Sequence, residues 1–250
     1  MRPDIVLPCF FKQNEAYDAI QKISAIGYDC AELWGWESYD LGRLHAVCNQ
    51  FGVELRSICT TEFRMTAPAY RTLWLDGLKR SCEAARLLGA SRLITQVGQD
   101  TGAARHEQHA SILDALEAAK PILEEFGMIL LMEPLNAKID HPGYYLTSSE
   151  EAIALVREAD HPLIKIVYDI YHQQITEGDV LSSVTKNLDC IAHLHAAGSA
   201  GRHELWIGEN DYSFILDAID RAGYAGTCGL EYLPTLPAEE SLKETLQRYF

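Results

Sequence analysis

The chain has 250 residues, of which 48% are hydrophobic and 23% are charged, the proportions of an ordinary globular protein. Its formal net charge of -15 would repel phosphates, so duplex nucleic acid and anionic membrane surfaces are not expected partners. No apolar run is long enough to span a bilayer, and the first residues lack the pattern of a signal peptide. The seven cysteines are scattered and form no C-x-x-C pair, as is typical of reduced thiols, so we expect a cytoplasmic protein.

Short apolar runs alternate with helical patterns along the whole chain. Eight strands are predicted, at residues 4–10, 30–36, 53–59, 91–98, 128–134, 164–169, 191–196 and 227–232. Eight helices are predicted in alternation with them, at residues 16–26, 39–51, 71–88, 105–126, 148–159, 179–187, 212–222 and 239–249. Asn14 is expected to cap the first helix, and five helices are expected to end at Gly27, Gly52, Gly89, Gly127 and Gly223. Strand–helix units of roughly 30 residues, with no linker between them, predict one α/β domain over residues 1–250.

The last four predicted strands each carry a chemically active side chain near the carboxyl end. These side chains are Glu133, Asp169, His195 and Glu231. An open doubly wound sheet would concentrate ligand groups at one switch point, whereas a closed barrel brings all its strand ends to one rim. We therefore predict a (β/α)8 TIM barrel. No G-x-G-x-x-G or Walker sequence follows a strand, so no nucleotide cofactor is indicated.

Two glutamates, an aspartate and a histidine that meet at one rim would suit a divalent cation such as Mg, Mn or Co. Each residue also has a purely structural alternative. Glu133 and Glu231 would be solvated strand ends or ion-pair partners, Asp169 would cap the turn that follows it, and His195 would be an ordinary core histidine. Because a buried carboxylate is unfavourable unless it is paired or metal-bound, the four residues together favour the metal site.

Three further residues are candidates for binding the substrate. His172 lies one helical turn after the sixth strand and would orient the substrate, unless it is an ordinary loop histidine. Arg202 lies beside His203 and Glu204 in the loop after the seventh strand, where its guanidinium would neutralise a substrate oxygen or carboxylate. Trp34 ends the second strand and would form a wall of the pocket, unless it packs between the barrel and its helices.

Six segments, which together cover most of the C-terminal half, follow the order and spacing of a known family. They are LLMEPLN, HPGYYLT, IKIVYDIYHQQITEGD, IAHLHAA, RHELWIGENDYSFIL and YAGTCGLEYLP. With these segments the chain resembles the hydroxypyruvate isomerase family, within the broader xylose-isomerase-like group of sugar isomerases and epimerases. The resemblance implies a (β/α)8 barrel, a homo-oligomer and a divalent metal held by Glu133, Asp169, His195 and Glu231. It also implies that the two glutamates are the proton-transferring pair.

Two features depart from the pattern of that family. Its hydroxypyruvate isomerases usually carry Gln at the position of His195, whereas the related ketose 3-epimerases carry His there and share the D-x-x-H pattern of Asp169 and His172. The loop after the third strand, TTEFRMTAPAYRTLW, is shorter than in typical hydroxypyruvate isomerases and lacks their P-G-R-E stretch. Both departures concern the substrate more than the metal.

This ligand set predicts a divalent-metal-dependent isomerase of a small hydroxy-oxo compound, such as hydroxypyruvate or another 2-oxo acid or sugar. A glutamate would remove the proton α to the carbonyl, through a metal-stabilised enediolate. Return of the proton to the neighbouring carbon is isomerisation and return from the opposite face is epimerisation, so a ketose 3-epimerase acting on tagatose or psicose is the alternative. Remoter alternatives are a metal-dependent phosphodiesterase of the apurinic-endonuclease type, which the net charge disfavours, and a sugar-binding barrel without turnover.

Overall fold

Eight parallel strands close into a barrel in which each strand pairs with its neighbours in chain order. The computed structural model describes residues 1–250. The strands are β1 (Arg2–Val6), β2 (Cys30–Leu33), β3 (Glu54–Cys59), β4 (Arg92–Thr95), β5 (Ile129–Met132), β6 (Ile164–Asp169), β7 (Ile191–Ala196) and β8 (Thr227–Leu230). Pairing of β1 with β8 completes the circle, which confirms the predicted (β/α)8 TIM barrel.

Ten α-helices connect and follow the strands. They are α1 (Leu7–Phe10), α2 (Ala16–Ile26), α3 (Leu41–Phe51), α4 (Arg71–Leu88), α5 (Arg105–Phe126), α6 (Ser149–Ala159), α7 (Ile170–Thr176), α8 (Val180–Lys186), α9 (Tyr212–Arg221) and α10 (Ala238–Tyr249). All eight predicted helices are present, within two residues at each end. Helices α2 to α5 end at the predicted glycines, each with a positive φ. None of the helices is both long enough and apolar enough to cross a membrane.

Several local predictions were wrong. Strands β2 and β4 end at Leu33 and Thr95, each three residues before the predicted end. Strand β1 ends at Val6, because Pro8 lies in the first turn of the short helix α1, where a missing N–H is tolerated. Asn14 does not cap α2 but lies in a 3-10 turn, Gln13–Glu15, that the Glu15 carboxylate closes by accepting from Lys12 N at 3.0 Å. Helix α7, which was not predicted, begins immediately after β6.

The interior of the barrel is divided into an apolar side and a polar side. Ile94, Leu131 and Val167 form a small cluster of their own, separate from the large core between the strands and the helices. Asp4 and Glu32 are buried charged residues that come from β1 and β2. The Glu32 carboxylate lies against His193 and His195 of β7.

Candidate functional site

The four predicted ligand residues meet at the carboxyl end of the barrel. Glu133 and Glu231 directly follow β5 and β8, Asp169 is the last residue of β6, and His195 is the penultimate residue of β7. One ligand atom from each residue lies within 4.8 Å of one from every other. His195 Nδ1 is 3.5 Å from Glu133 Oε1 and 3.1 Å from Glu231 Oε2. All four side chains are buried, so this is an enclosed cluster of three carboxylates and one imidazole.

Asp169 divides its two carboxylate oxygens between a helix and the cluster. Oδ1 accepts from the backbone N–H of Tyr171 at 2.7 Å and of His172 at 3.4 Å. Asp169 therefore caps α7, which is the structural role considered for it in the sequence analysis. Oδ2 is buried and accepts no hydrogen bond. Burial raises the pKa of Asp169 to about 6. The cap fixes the side chain and leaves one oxygen for another partner.

The cluster has the donor chemistry and the unsatisfied atoms of a cation site. Buried polar atoms normally have partners, yet Asp169 Oδ2 and His195 Nδ1 make no hydrogen bond. Burial lowers the pKa of His195, but the carboxylates of Glu32 and Glu231 outweigh that effect and raise it well above its usual value. Carboxylate oxygens and an imidazole nitrogen are ligands that Mg²⁺, Mn²⁺ and Co²⁺ accept. The residues present therefore fit a divalent cation.

Glu231 is held from two sides. Trp34 Nε1 donates to its Oε1 at 2.7 Å, and Arg202 Nη2 donates to its Oε2 at 2.5 Å. Burial alone would raise the pKa of Glu231, but His195 and Arg202 together hold it below its usual value. Glu133, in contrast, makes no hydrogen bond through its carboxylate. The two glutamates are thus equivalent in sequence pattern and different in their surroundings.

Arg202 reaches the cluster from the loop after β7. Its guanidinium also lies 3.7 Å from Asp169 Oδ2 and stacks 5.2 Å from the ring centroid of Tyr171. The loop is folded tightly over Gly198, where a Cβ would lie 2.2 Å from the Ile207 carbonyl oxygen. This packing makes the loop a defined support for Arg202 rather than an open connection.

The two neighbours of Arg202 contact the loop after β8. Glu204 is fully buried and accepts from the backbone N–H of Thr235 and Leu236, so it anchors that loop. His203 Nδ1 lies 2.8 Å from the Leu233 carbonyl oxygen. Both side chains support the loops and do not enter the cluster.

A cavity of about 320 Å³ opens above the four residues. His172, Trp34 and Arg202 all line it, together with all of the cluster except Asp169. His172 lies in α7 and not in a loop, and burial lowers its pKa to about 4. Trp34 is 44% exposed, so it forms the outer wall of the cavity and does not pack under the helices. A cavity of this size is suited to a small molecule.

Two residues near the cluster were missed in the sequence. Glu32 on β2 lies 3.2 Å from His195 Nε2 and 3.3 Å from His193 Nε2, and the Ser57 hydroxyl donates to it at 2.5 Å. Gly229 allows this approach, since a Cβ there would lie 2.2 Å from Glu32 Oε1. The run CAEL, an apolar segment interrupted by an acid, was the available signal for Glu32.

Asn136 is the second missed residue. It follows Glu133 by three positions, and its Nδ2 lies 2.6 Å from His172 Nδ1. Nothing in the local pattern distinguishes this asparagine from one in an ordinary polar loop, because its partner lies in α7, after the next strand.

The sequence is similar to those of known isomerases. Over 169 residues it is 34% identical to hydroxypyruvate isomerase of Escherichia coli, and the match covers 67% of this chain and 65% of that protein. Over 156 residues it is 33% identical to 2-oxo-tetronate isomerase of Cupriavidus necator, and the match covers 62% of this chain and 60% of that protein. Each match thus spans a little less than two thirds of the relative's length.

Solved structures share the fold over the full length of the chain. The structure of a family 2 AP endonuclease from Brucella melitensis superposes with a TM-score of 0.93 at 21% identity and covers all of both chains. That of D-psicose 3-epimerase with D-tagatose, from Clostridium cellulolyticum, gives a TM-score of 0.84 at 16% identity and covers 99% of this chain and 97% of that one. The model of the xylose isomerase-like TIM barrel family matches residues 20–249. The chain therefore belongs to the xylose isomerase-like TIM barrel family.

Proposed function

We propose that this protein is a divalent-metal-dependent isomerase of a small hydroxy-oxo compound, of the hydroxypyruvate isomerase or 2-oxo acid and sugar isomerase type. One observation carries the proposal: Glu133 and Glu231 line the same cavity from strands that are three apart in the barrel, and Asp169 and His195 come from the two strands between them. The names of the curated relatives, hydroxypyruvate isomerase and 2-oxo-tetronate isomerase, support the same class of reaction.

Glu133, Asp169, His195 and Glu231 would hold the cation, which we propose to be Mg, Mn or Co. When bound, the cation supplies Lewis acidity that stabilises negative charge on the oxygens of the substrate. The unsatisfied Asp169 Oδ2 and His195 Nδ1 support this assignment. Arg202 would be displaced in part from Glu231 by a substrate carboxylate or oxygen, because a guanidinium binds such groups with two parallel hydrogen bonds.

The two glutamates would transfer the proton, with different tasks. Glu133 has no hydrogen bond on its carboxylate, so an oxygen is available to remove the proton α to the carbonyl. Glu231 is held by Trp34 and Arg202, so its carboxylate keeps a fixed direction relative to the substrate. His172 and Arg202 would bind substrate oxygens, and Trp34 would exclude water from the outer side of the cavity. A homo-oligomer remains a prediction.

A ketose 3-epimerase is the second candidate, and a specific observation favours it. His195 is one of the four clustered residues, and His172 lines the cavity. A histidine at the position of His195 and a D-x-x-H pattern, here Asp169 and His172, are the features in which this chain resembles the ketose 3-epimerases. The superposition on D-psicose 3-epimerase supports the same fold for such a site. Isomerase and epimerase use the same first proton transfer and differ in where the proton returns.

The test of this proposal is proton NMR in D2O with hydroxypyruvate, 2-oxo-tetronates, fructose, tagatose and psicose as substrates. We expect deuterium to enter at a carbon next to the carbonyl when metal is present and not after chelation. A carbonyl that moves to the neighbouring carbon of an oxo acid identifies the isomerase, with an aldehyde as the product from hydroxypyruvate and a 3-oxo acid as the product from a 2-oxo-tetronate. An inverted C3 in a ketose identifies the epimerase. No exchange with any compound, despite stoichiometric metal, would contradict both and favour a phosphodiesterase or a binding protein.

Glu32 gives a separate prediction about the metal. Because its carboxylate lies against His195 Nε2, it should keep His195 Nδ1 directed at the cluster, and such carboxylate partners of ligand histidines commonly affect metal affinity by about 10- to 100-fold. Glu32→Gln is therefore expected to weaken Mn²⁺ binding by a similar factor, measured by isothermal titration calorimetry. Thr95→Val is the control, since it also removes a buried hydrogen bond but the Thr95 side chain contacts Thr60 and Trp74 instead. Equal affinities for Glu32→Gln and wild type would exclude this role.

A further inference from the structure

His172 lines the cavity, and its two ring nitrogens have different surroundings. The ring is fully buried, with edge contacts to Tyr171 and His141 at centroid distances of 5.2 and 5.3 Å. Its Nε2 has no hydrogen-bond partner within the protein and lies 3.5 Å from Asp169 Oδ2. A buried ring nitrogen without a partner, in a residue that lines a cavity, is placed to bind a ligand.

The protein side of the ring meets two hydrogen-bond donors. The backbone N–H of Asn136 donates to His172 Nδ1 at 3.3 Å, and the Asn136 side-chain nitrogen lies 2.6 Å from the same atom. The direction of the amide is fixed by its oxygen, which accepts from the backbone N–H of Ile139 at 3.0 Å and of Asp140 at 3.2 Å. Since only the oxygen can accept these bonds, the NH2 group must face His172.

A second contact fixes the other amide proton. Asn136 Nδ2 also donates to Asp140 Oδ2 at 2.6 Å, and the Tyr171 hydroxyl donates to the same oxygen at 2.9 Å. Both protons of the NH2 group are therefore used, one on Asp140 and one on His172. An Nδ1 that accepts two donors carries no proton, so the ring cannot be an imidazolium and its single proton is on Nε2.

We propose that Asn136 is a positioning residue that holds His172 in the Nε2–H tautomer, so that His172 donates a hydrogen bond to a substrate oxygen and does not act as a base. This inference rests on the proposed function and makes it more specific. A donor fixed in advance at an oxygen that gains negative charge stabilises the transition state more than the bound substrate. The substrate would therefore present an oxygen, not a hydrogen-bond donor, to His172.

The experiment exchanges the two side chains that face each other, in the double variant Asn136→Asp with Asp140→Asn. The exchange preserves the net charge and the acceptor for the N–H groups of Ile139 and residue 140, and the amide at residue 140 can donate to the new carboxylate at residue 136. It replaces the donor on His172 Nδ1 by a carboxylate oxygen, which requires a proton on Nδ1. Asp140→Asn alone is the matched control, because it leaves Asn136 and its contact with His172 unchanged.

Long-range ¹H–¹⁵N correlation spectra of the Mg²⁺-loaded, substrate-free protein report the tautomer directly. The signals of His172 are assigned by their loss in His172→Asn. We expect Nε2–H in the wild type and in Asp140→Asn, and a protonated Nδ1 in the double variant. We also expect kcat of the double variant to fall about 10- to 100-fold with a smaller change in KM, and Asp140→Asn to stay within about threefold of wild type.

Several results would overturn the inference. An Nδ1–H or doubly protonated His172 in the wild type would do so whichever compound is turned over, because that spectrum needs no substrate. A changed tautomer in the double variant with an unchanged kcat would exclude the donor role. Equal losses of kcat in Asp140→Asn and in the double variant would exclude it as well. Failure of the proposed function is a distinct result. In that case the wild-type protein has Nε2–H at His172, turns over none of the test compounds, and shows no shift of the His172 signals when they are added. The absence of a shift would also exclude the donor role.

Discussion

Glu133→Gln is expected to lower kcat by about 10²- to 10⁴-fold, the usual contribution of a general base or acid. The amide has nearly the same shape as the carboxylate but cannot accept the α proton. The protein should remain folded, because the change removes one of three buried carboxylates that lie within 4.8 Å of each other. The measurement is turnover at saturating metal, with solvent deuterium exchange at the α carbon followed in parallel.

Glu231→Gln is expected to have a similar effect, but its interpretation is less direct. Its carboxylate accepts from Trp34 and Arg202, and an amide in its place would direct an NH2 group at one of these two donors. Glu239→Gln is the control for the loss of one negative charge, since Glu239 lies exposed on α10 and pairs with Lys22 of α2. Deuterium exchange at the wild-type rate in Glu133→Gln would show that Glu133 does not transfer the proton. Wild-type rates in both variants would contradict the proposed mechanism.

Removal of the divalent cation is expected to abolish turnover and to lower the stability of the fold. Without it, Glu133, Asp169 and Glu231 share one buried site with only His195 and Arg202 as positive partners. A cation present at a hundred times its dissociation constant stabilises the folded state by about 2.7 kcal/mol, which corresponds to roughly 5–10 °C in Tm for a chain of this size. The measurements are thermal unfolding and activity after chelation, and again after Mg²⁺, Mn²⁺ or Co²⁺ is returned.

The control for this experiment is a variant with a damaged cluster. Asp169→Asn keeps an oxygen to cap α7 but loses a negative ligand, so its Tm should respond less to added cation than that of the wild type. Activity and Tm that are both unchanged by chelation, with no metal detected in the treated protein, would show that the cluster does not need a cation. Equal Tm responses in Asp169→Asn and wild type would place the cation elsewhere.

The regular part of the fold was predictable because it depends on local patterns. Short apolar runs, period-3.6 hydrophobicity, glycine caps and short connections are properties of adjacent residues, and they located all eight strands and the eight predicted helices. The errors occurred where a single local contact outweighed the pattern. Pro8 began a helical turn inside an apolar run, and the Asp169 carboxylate began α7 within a segment that carries few helix signals.

The rim of the candidate site was predictable for a different reason. In a closed parallel barrel every strand ends on the same side, so the direction of the chain alone brings Glu133, Asp169, His195 and Glu231 together. That argument predicts which side chains meet, but it does not predict their partners. The sequence treats Glu133 and Glu231 alike, and only the structure shows that Trp34 and Arg202 hold one of them.

By itself the sequence determined the barrel, the order of its elements and the four residues at its rim, since these follow from periodicity and chain direction. The tertiary structure decided the contacts between distant strands and loops. Glu32 of β2 meets His195 of β7, and Asn136 after β5 meets His172 in α7, only because closure of the barrel and one choice of rotamers bring those atoms within hydrogen-bonding or ion-pair distance. Such contacts leave no periodic trace in the chain, because each depends on the three-dimensional positions of two residues that are far apart in sequence.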